Sequence, residues 1–194
     1  RLVRDYSLWS DAWKKLFILP DPEWIRDNFG QELNNTWGVS RIFIAYGSGP
    51  ISEIRDGIPE LLFPGDDPLL DSVRETAATV RAASALSGTH RQASQFFSST
   101  GTAWVLAAGI LSNPEPLPQD VRLEAMPVLV MARPLDSRWI DGIVRKIGLS
   151  SLTIIPATMT PDTPDATLVP LPGTTNHTVA WLRFTTNQSA LFYL

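Results

Sequence analysis

The residues that could do chemistry in this chain begin with two carboxylates beside a run of aromatic side chains. Asp5 precedes Tyr6, and Asp11 lies between Trp9 and Trp13. The three aromatic residues follow one another at steps of three and four residues. On an α-helix this spacing places the three aromatic side chains on one face. Such a stripe is either part of a buried core or the aromatic wall of a ligand pocket, with a carboxylate as its polar anchor.

A second candidate is Arg41, which lies amid apolar neighbours in the run from Val39 to Tyr46. Its guanidinium group either reaches solvent at the end of an apolar stem or serves as a fork for an anionic ligand. The alternating pattern predicts a strand with Arg41 and Tyr46 on opposite faces. Aromatic positions of the first helix and of other predicted strands complete a set of six candidate ligand-binding residues: Tyr6, Trp13, Arg41, Tyr46, Phe96 and Trp104.

Patterns for catalysis and for metal binding do not occur in the sequence. There is no cysteine, and the two histidines, His90 and His177, are far apart and lack metal-ligand spacing. Neither a G-x-S-x-G elbow nor a glycine-rich phosphate loop is present. The sequence therefore predicts a non-catalytic protein with no metal and no cofactor, and a triad built on His90 is the remaining enzymatic possibility.

Length and composition predict one soluble domain over residues 1–194, since 44% of the residues are hydrophobic and 19% are charged. A net charge of −4, without any run of Lys and Arg, argues against a nucleic-acid partner. No apolar run reaches the roughly 18 residues of a transmembrane helix. The chain starts inside a predicted helix and ends on apolar residues, so we expect a soluble segment taken from between two membrane helices.

The elements that would position the candidate residues alternate between helices and strand pairs. An antiparallel sheet flanked by helices, an α+β fold, is the expected result. Pro127 predicts an edge position or a bulge at the start of its strand. The predicted elements are helices over 1–17, from 21 to about 30, from 67 to 87 and from 136 to 147, a loop over 57–65, and strands over 39–46, 51–54, 93–99, 102–111, 124–133, 153–157, 168–171 and 177–184.

The predicted helix that ends at Ile147 carries apolar residues at helical spacing. Trp139, Ile140 and Ile143 precede Ile147 by eight, seven and four residues. This spacing predicts that all four side chains face the interior.

The segment DYSLWSDAW, residues 5–13, resembles the opening motif of the fourth CHASE class, an extracellular sensor domain of bacterial signalling proteins. The family motif is an Asp, an aromatic residue, a Trp four residues after that Asp, an acidic pair and another aromatic residue. Asp5, Trp9 and Asp11 hold motif positions here, while Ser10 stands where the family usually has the first acid of the pair. A strand followed by RPLD and by a helix ending at Gly148 also resembles the family.

The resemblance implies a PAS-like sheet of the single Cache type, with a first helix that runs from the membrane along the sheet. It implies a membrane-anchored domain on the periplasmic or extracellular face of a bacterial inner membrane. That domain would bind a small extracytoplasmic molecule. It would regulate a cytoplasmic cyclic-di-GMP synthase or phosphodiesterase (GGDEF or EAL type) or a histidine kinase.

The alternative is a ligand-free dimerisation or protein-partner module of such a receptor. Leu2, Trp9 and Leu16 recur every seven residues, at one heptad position. A membrane segment before the first helix would hold two copies close together at high effective concentration. We therefore expect a parallel homodimer in the full-length protein.

Overall fold

A computed structural model describes residues 2–7, 10–47, 49–87, 92–112, 126–159, 167–173 and 177–185. A π-helical turn, Lys14–Ile18, follows the second helix directly. The helices are α1 Leu2–Ser7, α2 Ser10–Trp13, α3 Pro22–Phe29, α4 Gln31–Trp37, α5 Leu70–Ser87 and α6 Ser137–Ile147. The strands are β1 Arg41–Tyr46, β2 Ile51–Arg55, β3 Ile58–Leu62, β4 Gln92–Ser99, β5 Thr102–Ile110, β6 Pro127–Pro134, β7 Ser151–Pro156, β8 Thr167–Pro172 and β9 Thr178–Thr185.

The strands form two sheets. The larger is a six-stranded antiparallel sheet with the order β3-β2-β1-β6-β5-β4, and the smaller is an antiparallel sheet with the order β7-β9-β8. The predicted α+β fold with an antiparallel sheet and flanking helices is confirmed, and it is consistent with a PAS-like sensor fold. The chain divides into two compact units, one of Arg1–Ser94 with Leu106–Arg133 and one of Gln95–Val105 with Pro134–Leu194.

Two prolines lie where the predicted strands differ from the observed ones. The predicted loop over 57–65 is wrong, because β3 pairs antiparallel with β2 from Ile58 to Leu62. Pro59 has no backbone N–H to donate. It fits there because β3 is the edge strand of the described sheet, so a missing N–H on its outer side removes no hydrogen bond between strands. The edge or bulge expected at Pro127 is also wrong. β6 lies centrally between β1 and β5, and Pro127 fits as its first residue, opposite Tyr46.

The first helical segment contains more than the predicted α-helix. The expectation of one continuous helix over 1–17 crosses residues 8–9, which lie outside the described residues. After α2 the hydrogen bonding changes, since Leu19 N–H donates to the carbonyl of Lys14, five residues back, at 2.8 Å. Residues 14–18 are therefore a π-helical turn, a feature that apolar spacing does not reveal.

One face of β1 packs against the helices that precede it. Ile42 and Ile44 belong to a buried cluster that includes Ala12 of α2, Phe29 of α3 and Leu33 of α4. Local signals place the helices: the Asp21 carboxylate accepts the N–H of Trp24 at 3.0 Å and Pro22 follows it. The apolar stripe of the N-terminal segment thus covers this face of the sheet.

The other face of β1 lies against α5. Asp67 precedes this helix and its carboxylate accepts the N–H of Leu69 at 2.8 Å. Val73, Ala77 and Val80 are fully buried on the inner side of α5. Phe43, on the face opposite Ile42 and Ile44, is fully buried as well. β1 is therefore covered on both faces.

The second unit contains the smaller sheet and α6. Its buried cluster consists of Ala103, Leu135, Leu171, Val179 and Ala180. The helix begins and ends as predicted, since the Asp136 carboxylate accepts the N–H of Trp139 at 2.9 Å and Gly148 ends it with φ 68°.

The predicted burial along α6 is only partly observed. Trp139, Ile140 and Ile143 are half-buried, and no residue of the helix is fully buried. The inward orientation predicted for Ile147 is wrong, because it is 60% exposed. It lies in the last turn of the helix, one residue before the terminating glycine.

Candidate ligand-binding site

Three of the six candidate residues belong to two groups of contacting aromatic rings, one between the N-terminal helices and one that reaches β1. The rings of Tyr6 and Phe29 meet edge to face at 5.3 Å, those of Trp13 and Phe17 lie 5.0 Å apart, and Phe17 meets Tyr46 edge to face at 6.1 Å. Tyr6, Trp13 and Tyr46 are half-buried and pack against the buried cluster of this face. The packing resembles a core, the first of the two alternatives for the aromatic stripe.

The carboxylates of the N-terminal motif do not share this environment. Asp5 and Asp11 are exposed, and Trp9 lies outside the described residues. Burial raises the pKa of the Tyr6 hydroxyl, and the nearby charge of Glu32 adds to the increase. The described motif residues therefore divide between an aromatic group on the core and two acids on the surface.

The two remaining aromatic candidates belong to the second unit. Phe96 of β4 is half-buried and packs against the cluster of that unit, as Val105 and Ile154 also do. Trp104 of β5 is half-buried too, and by strand alternation it lies on the face opposite Ala103 and Val105. Their role in binding remains a prediction.

Arg41 makes a charged network with residues of its own chain. Its Nε and Nη2 donate to the two oxygens of Glu53 at 2.6 and 2.9 Å, and its Nη1 donates to Asp67 at 2.6 Å. Arg55 also donates to Glu53, through Nε at 2.8 Å and Nη2 at 2.6 Å. The Arg41 guanidinium lies 4.8 Å from the ring centre of Phe43. The network joins β1, β2 and the start of α5.

The charges in this network compensate one another. Burial opposes the charge of Glu53, but hydrogen bonds from Arg41 and Arg55 outweigh it and hold the pKa of that carboxyl below its ordinary value. Burial likewise opposes the charge of Arg41, but the two carboxylates raise its pKa overall. The predicted fork of Arg41 exists, and the anions it holds are Glu53 and Asp67 of the same chain.

A cavity of about 280 Å³ lies between α5 and the turn that connects β1 with β2, and we call it the α5 cavity. From the helix, Arg74, Ala78 and Arg81 line it, at steps of four and three residues that place them on one side of α5. From the sheet, it is lined by Ala45, Gly47, Gly49 and Ile51.

Arg81 is the most unusual residue of this cavity, because it is a cation with only 9% of its surface exposed. Its Nη2 donates to the carbonyl of Ala45 at 2.6 Å and its Nε to that of Met126 at 3.4 Å. In the described part of the chain no carboxylate pairs with it, and burial lowers the pKa of its guanidinium without opposition.

The third nitrogen of the Arg81 guanidinium, Nη1, has no hydrogen-bond partner in the described part of the chain. No buried side-chain nitrogen or oxygen lacks a partner among those residues. Nη1 therefore reaches solvent, and the solvent space that Arg81 lines is the α5 cavity.

Sequence reasoning missed both arginines of the α5 cavity, although one signal was present. Helical spacing predicts an inner side of α5 made of Leu69, Val73, Ala77, Val80 and Ser84 or Leu86, and Ser84 rather than Leu86 is buried. Arg81 comes one residue after Val80 and four after Ala77. A cation in register with a buried stripe is rarely left uncompensated. The position of Arg81 beside the buried side of the helix was therefore the signal that sequence reasoning could have used.

The described residues enclose two further cavities of similar size. One of about 330 Å³ is lined by polar groups of α4 and β1, including Asn34, Asn35 and Ser40. The other, of about 370 Å³, lies in the second unit beside Asp136, whose carboxylate is already used to cap α6. Only in the α5 cavity, among these three, does a buried cation without a carboxylate partner form part of the wall.

Two searches of the described residues have negative results. No cluster of three or more His, Cys, Asp or Glu side chains there has the arrangement of a metal site. Among the same residues, none of the helices combines the length and apolar character that spanning a membrane requires.

An antiparallel sheet with helical cover and a small cavity against one face is consistent with a PAS-like sensor fold. The family model of the CHASE4 domain matches residues 1–155 of the 194. The chain therefore belongs to the CHASE4 family of extracellular sensor domains, which serve signal transduction and are not catalytic. The resemblance found in residues 5–13 is confirmed. A search of curated proteins finds no significant match.

Proposed function

We propose that this chain is the periplasmic ligand-sensing domain of a transmembrane bacterial receptor. Its α5 cavity would bind a small molecule, and the N-terminal helices would carry the change through a membrane segment. The cytoplasmic output would be a cyclic-di-GMP synthase or phosphodiesterase of the GGDEF or EAL type, or a histidine kinase. Membership of a sensor family, together with a cavity against the sheet that holds an uncompensated cation, supports the proposal.

Signalling requires that the ligand bind two states of the receptor with different affinity. The α5 cavity is suited to this, because its two walls belong to different elements, a helix and a strand connection. A ligand that contacts both walls stabilises one spacing between them over another. The receptor is proposed to act as a homodimer in the membrane, with two copies of the N-terminal helix side by side.

The test uses the full-length receptor in spheroplasts, with compounds added from outside. We expect a compound that raises the melting temperature of the purified chain also to change the cytoplasmic output, measured as cyclic-di-GMP or as phosphoryl transfer. A ligand at about 100 times its Kd adds about 2.7 kcal/mol to the free energy of unfolding, which a thermal scan detects. If no compound that stabilises the purified chain changes the cytoplasmic output, the proposal is contradicted.

A further inference from the structure

We propose that the α5 cavity recognises a small molecule through a compact oxyanion group, a carboxylate or a phosphate, held by Arg81 and Arg74. The inference rests on the proposed sensing function and names the chemical class of its ligand. The same chemistry is offered by an organic acid and by a phosphorylated metabolite. The experiment below separates the two.

The first argument compares two arginines of the same unit. Arg41 is half-buried and is compensated by Glu53 and Asp67, with both acids at 2.6 Å. Arg81 is more deeply buried, yet its partners in the described part of the chain are two backbone carbonyls. A buried charge is costly unless it is paired, and carbonyl dipoles replace a counter-charge only in part. An oxyanion in the cavity would supply the missing charge.

The second argument is the donor that Arg81 leaves without a partner and the presence of Arg74 beside it. Nη1 of Arg81 has no hydrogen-bond partner among the described residues, and Arg81 lines the cavity together with Arg74, two turns earlier on the same helix. Among the described residues Arg74 has one carboxylate partner, Asp71, at 3.4 Å, and the Asp71 side chain is 98% exposed. Solvent screens such a pair, so Asp71 competes weakly with a ligand. Two guanidinium groups on one wall match the several acceptor oxygens of a carboxylate or phosphate.

The third argument is the chemistry of the opposite wall of the cavity and the volume of the cavity. Gly47 and Gly49 present no side chain there, so a ligand is able to approach the backbone closely. Ile51 and Ala78 offer apolar contact for a short carbon body. Ligand pockets typically have volumes of about 300–1,000 Å³, and this one has about 280 Å³. The ligand is therefore small.

The experiment measures binding of sodium phosphate and sodium acetate by calorimetry, with sodium chloride holding the ionic strength constant. The variants are Arg81→Met and Arg74→Met, and the control is Arg145→Met, which removes the same charge from an exposed position on α6. We expect Arg81→Met to weaken oxyanion binding about tenfold or more and Arg74→Met to weaken it several-fold, since charge-assisted hydrogen bonds are lost. Arg145→Met should bind like the wild type.

The relative affinities assign the group. Tighter binding of phosphate supports a phosphorylated ligand, and tighter binding of acetate supports an organic acid. Equal affinities of wild type and Arg81→Met for both salts would overturn the inference. If Arg81→Met does not fold, Arg74→Met decides, with wild-type affinity counting against the inference and weakened binding counting for it.

Neutral and cationic compounds distinguish this inference from the function on which it rests. If such a compound raises the melting temperature of the wild type and of Arg81→Met equally and changes the receptor output, that result supports the sensing function and contradicts the oxyanion assignment. If no compound of any charge stabilises the chain or changes the output, both fall.

Discussion

The hydroxyl group of Ser7 occupies the place where a side chain at position 109 would begin. A β-carbon built on Gly109 of β5 would lie 2.7 Å from the Oγ atom of Ser7 and 3.1 Å from its Cβ. Ser7 also accepts the N–H of Ser112 through its carbonyl at 3.1 Å. The first helix thus lies directly on the backbone of β5, and glycine is what allows this approach.

We expect Gly109→Ala to lower the free energy of unfolding by about 1–3 kcal/mol, because the added methyl group overpacks the contact between α1 and β5. Chemical denaturation measures the change. Ser7→Ala removes the nearest atom and should recover part of the loss in the double variant. The matched control is Gly142→Ala on α6, where nothing lies within 4 Å of the new β-carbon. That change should stabilise the chain by up to about 1 kcal/mol.

The acids Glu53 and Glu60 stand opposite each other on β2 and β3 but have different surroundings. Glu53 is 5% exposed and binds Arg41 and Arg55. Glu53→Gln should therefore cost about 2 kcal/mol, because it weakens charge-assisted hydrogen bonds while Arg41 keeps its contact with Asp67. Glu60 is exposed and meets Arg55 at 3.5 Å, so Glu60→Gln should cost less than about 1 kcal/mol. Equal losses in the two variants would show that the network is not a structural link.

Lowering the pH should destabilise the chain in part by protonating Glu53. The pKa of this carboxyl is lower in the folded state than its ordinary value, because hydrogen bonds from Arg41 and Arg55 outweigh burial. Its contribution is therefore complete above about pH 4.3, its ordinary pKa, and is lost as pH falls through the folded pKa. Chemical denaturation at several pH values should show that the free energy of unfolding falls less steeply with decreasing pH for Glu53→Gln than for the wild type. Parallel slopes would contradict this assignment.

Two tryptophans test whether the aromatic stripe is core or pocket. Trp13 is half-buried against Phe17, so Trp13→Ala should cost about 3 kcal/mol, while oxyanion affinity stays at the wild-type level. Trp37 is 51% exposed at the end of α4, and Trp37→Ala should change stability by less than about 1 kcal/mol. If Trp13→Ala folds normally and loses ligand-induced stabilisation, Trp13 belongs to a pocket as first predicted.

The proposed dimer is tested with cysteines introduced at Arg1 and Arg4 of the full-length protein. The chain has no cysteine of its own, so every disulfide formed within this domain reports the new positions. We expect crosslinks in intact membranes whose yield changes with ligand, because the membrane tether holds the two first helices at high effective concentration. A regulated output without any crosslink near this end would mean that the signal leaves the domain by another route.

Local chemistry made much of the fold predictable from sequence. Asp21 and Asp136 cap helices as expected, and the strand pairs on either side of the turns at 47–50 and 100–101 form where alternation placed them. β3 was missed because Pro59 argues against a strand unless its edge position is known, and that position depends on the whole sheet. Hydrogen-bond register produces the π-helical turn at 14–18, and side-chain spacing does not report it.

The candidate site was less predictable for a related physical reason. The sequence leaves Arg41 open between a side chain that reaches solvent and a fork for an anionic ligand. Its partners Glu53 and Asp67 lie 12 and 26 residues away, and only tertiary structure brings them together. Arg81 has no charged partner nearby in sequence or among the described residues. Its importance follows from burial, which a single helical pattern does not report.

The carbonyl that receives Arg81 belongs to Ala45, and the next residue, Tyr46, turns its ring to the opposite face, where it meets Phe17. One peptide unit therefore separates the wall of the cavity from the helical segment that would lead to the membrane. No hinge or long relay is needed between ligand and output. A shift of β1 by a fraction of an ångström would move residues on both faces of the strand at once. The strand itself would then transmit the change.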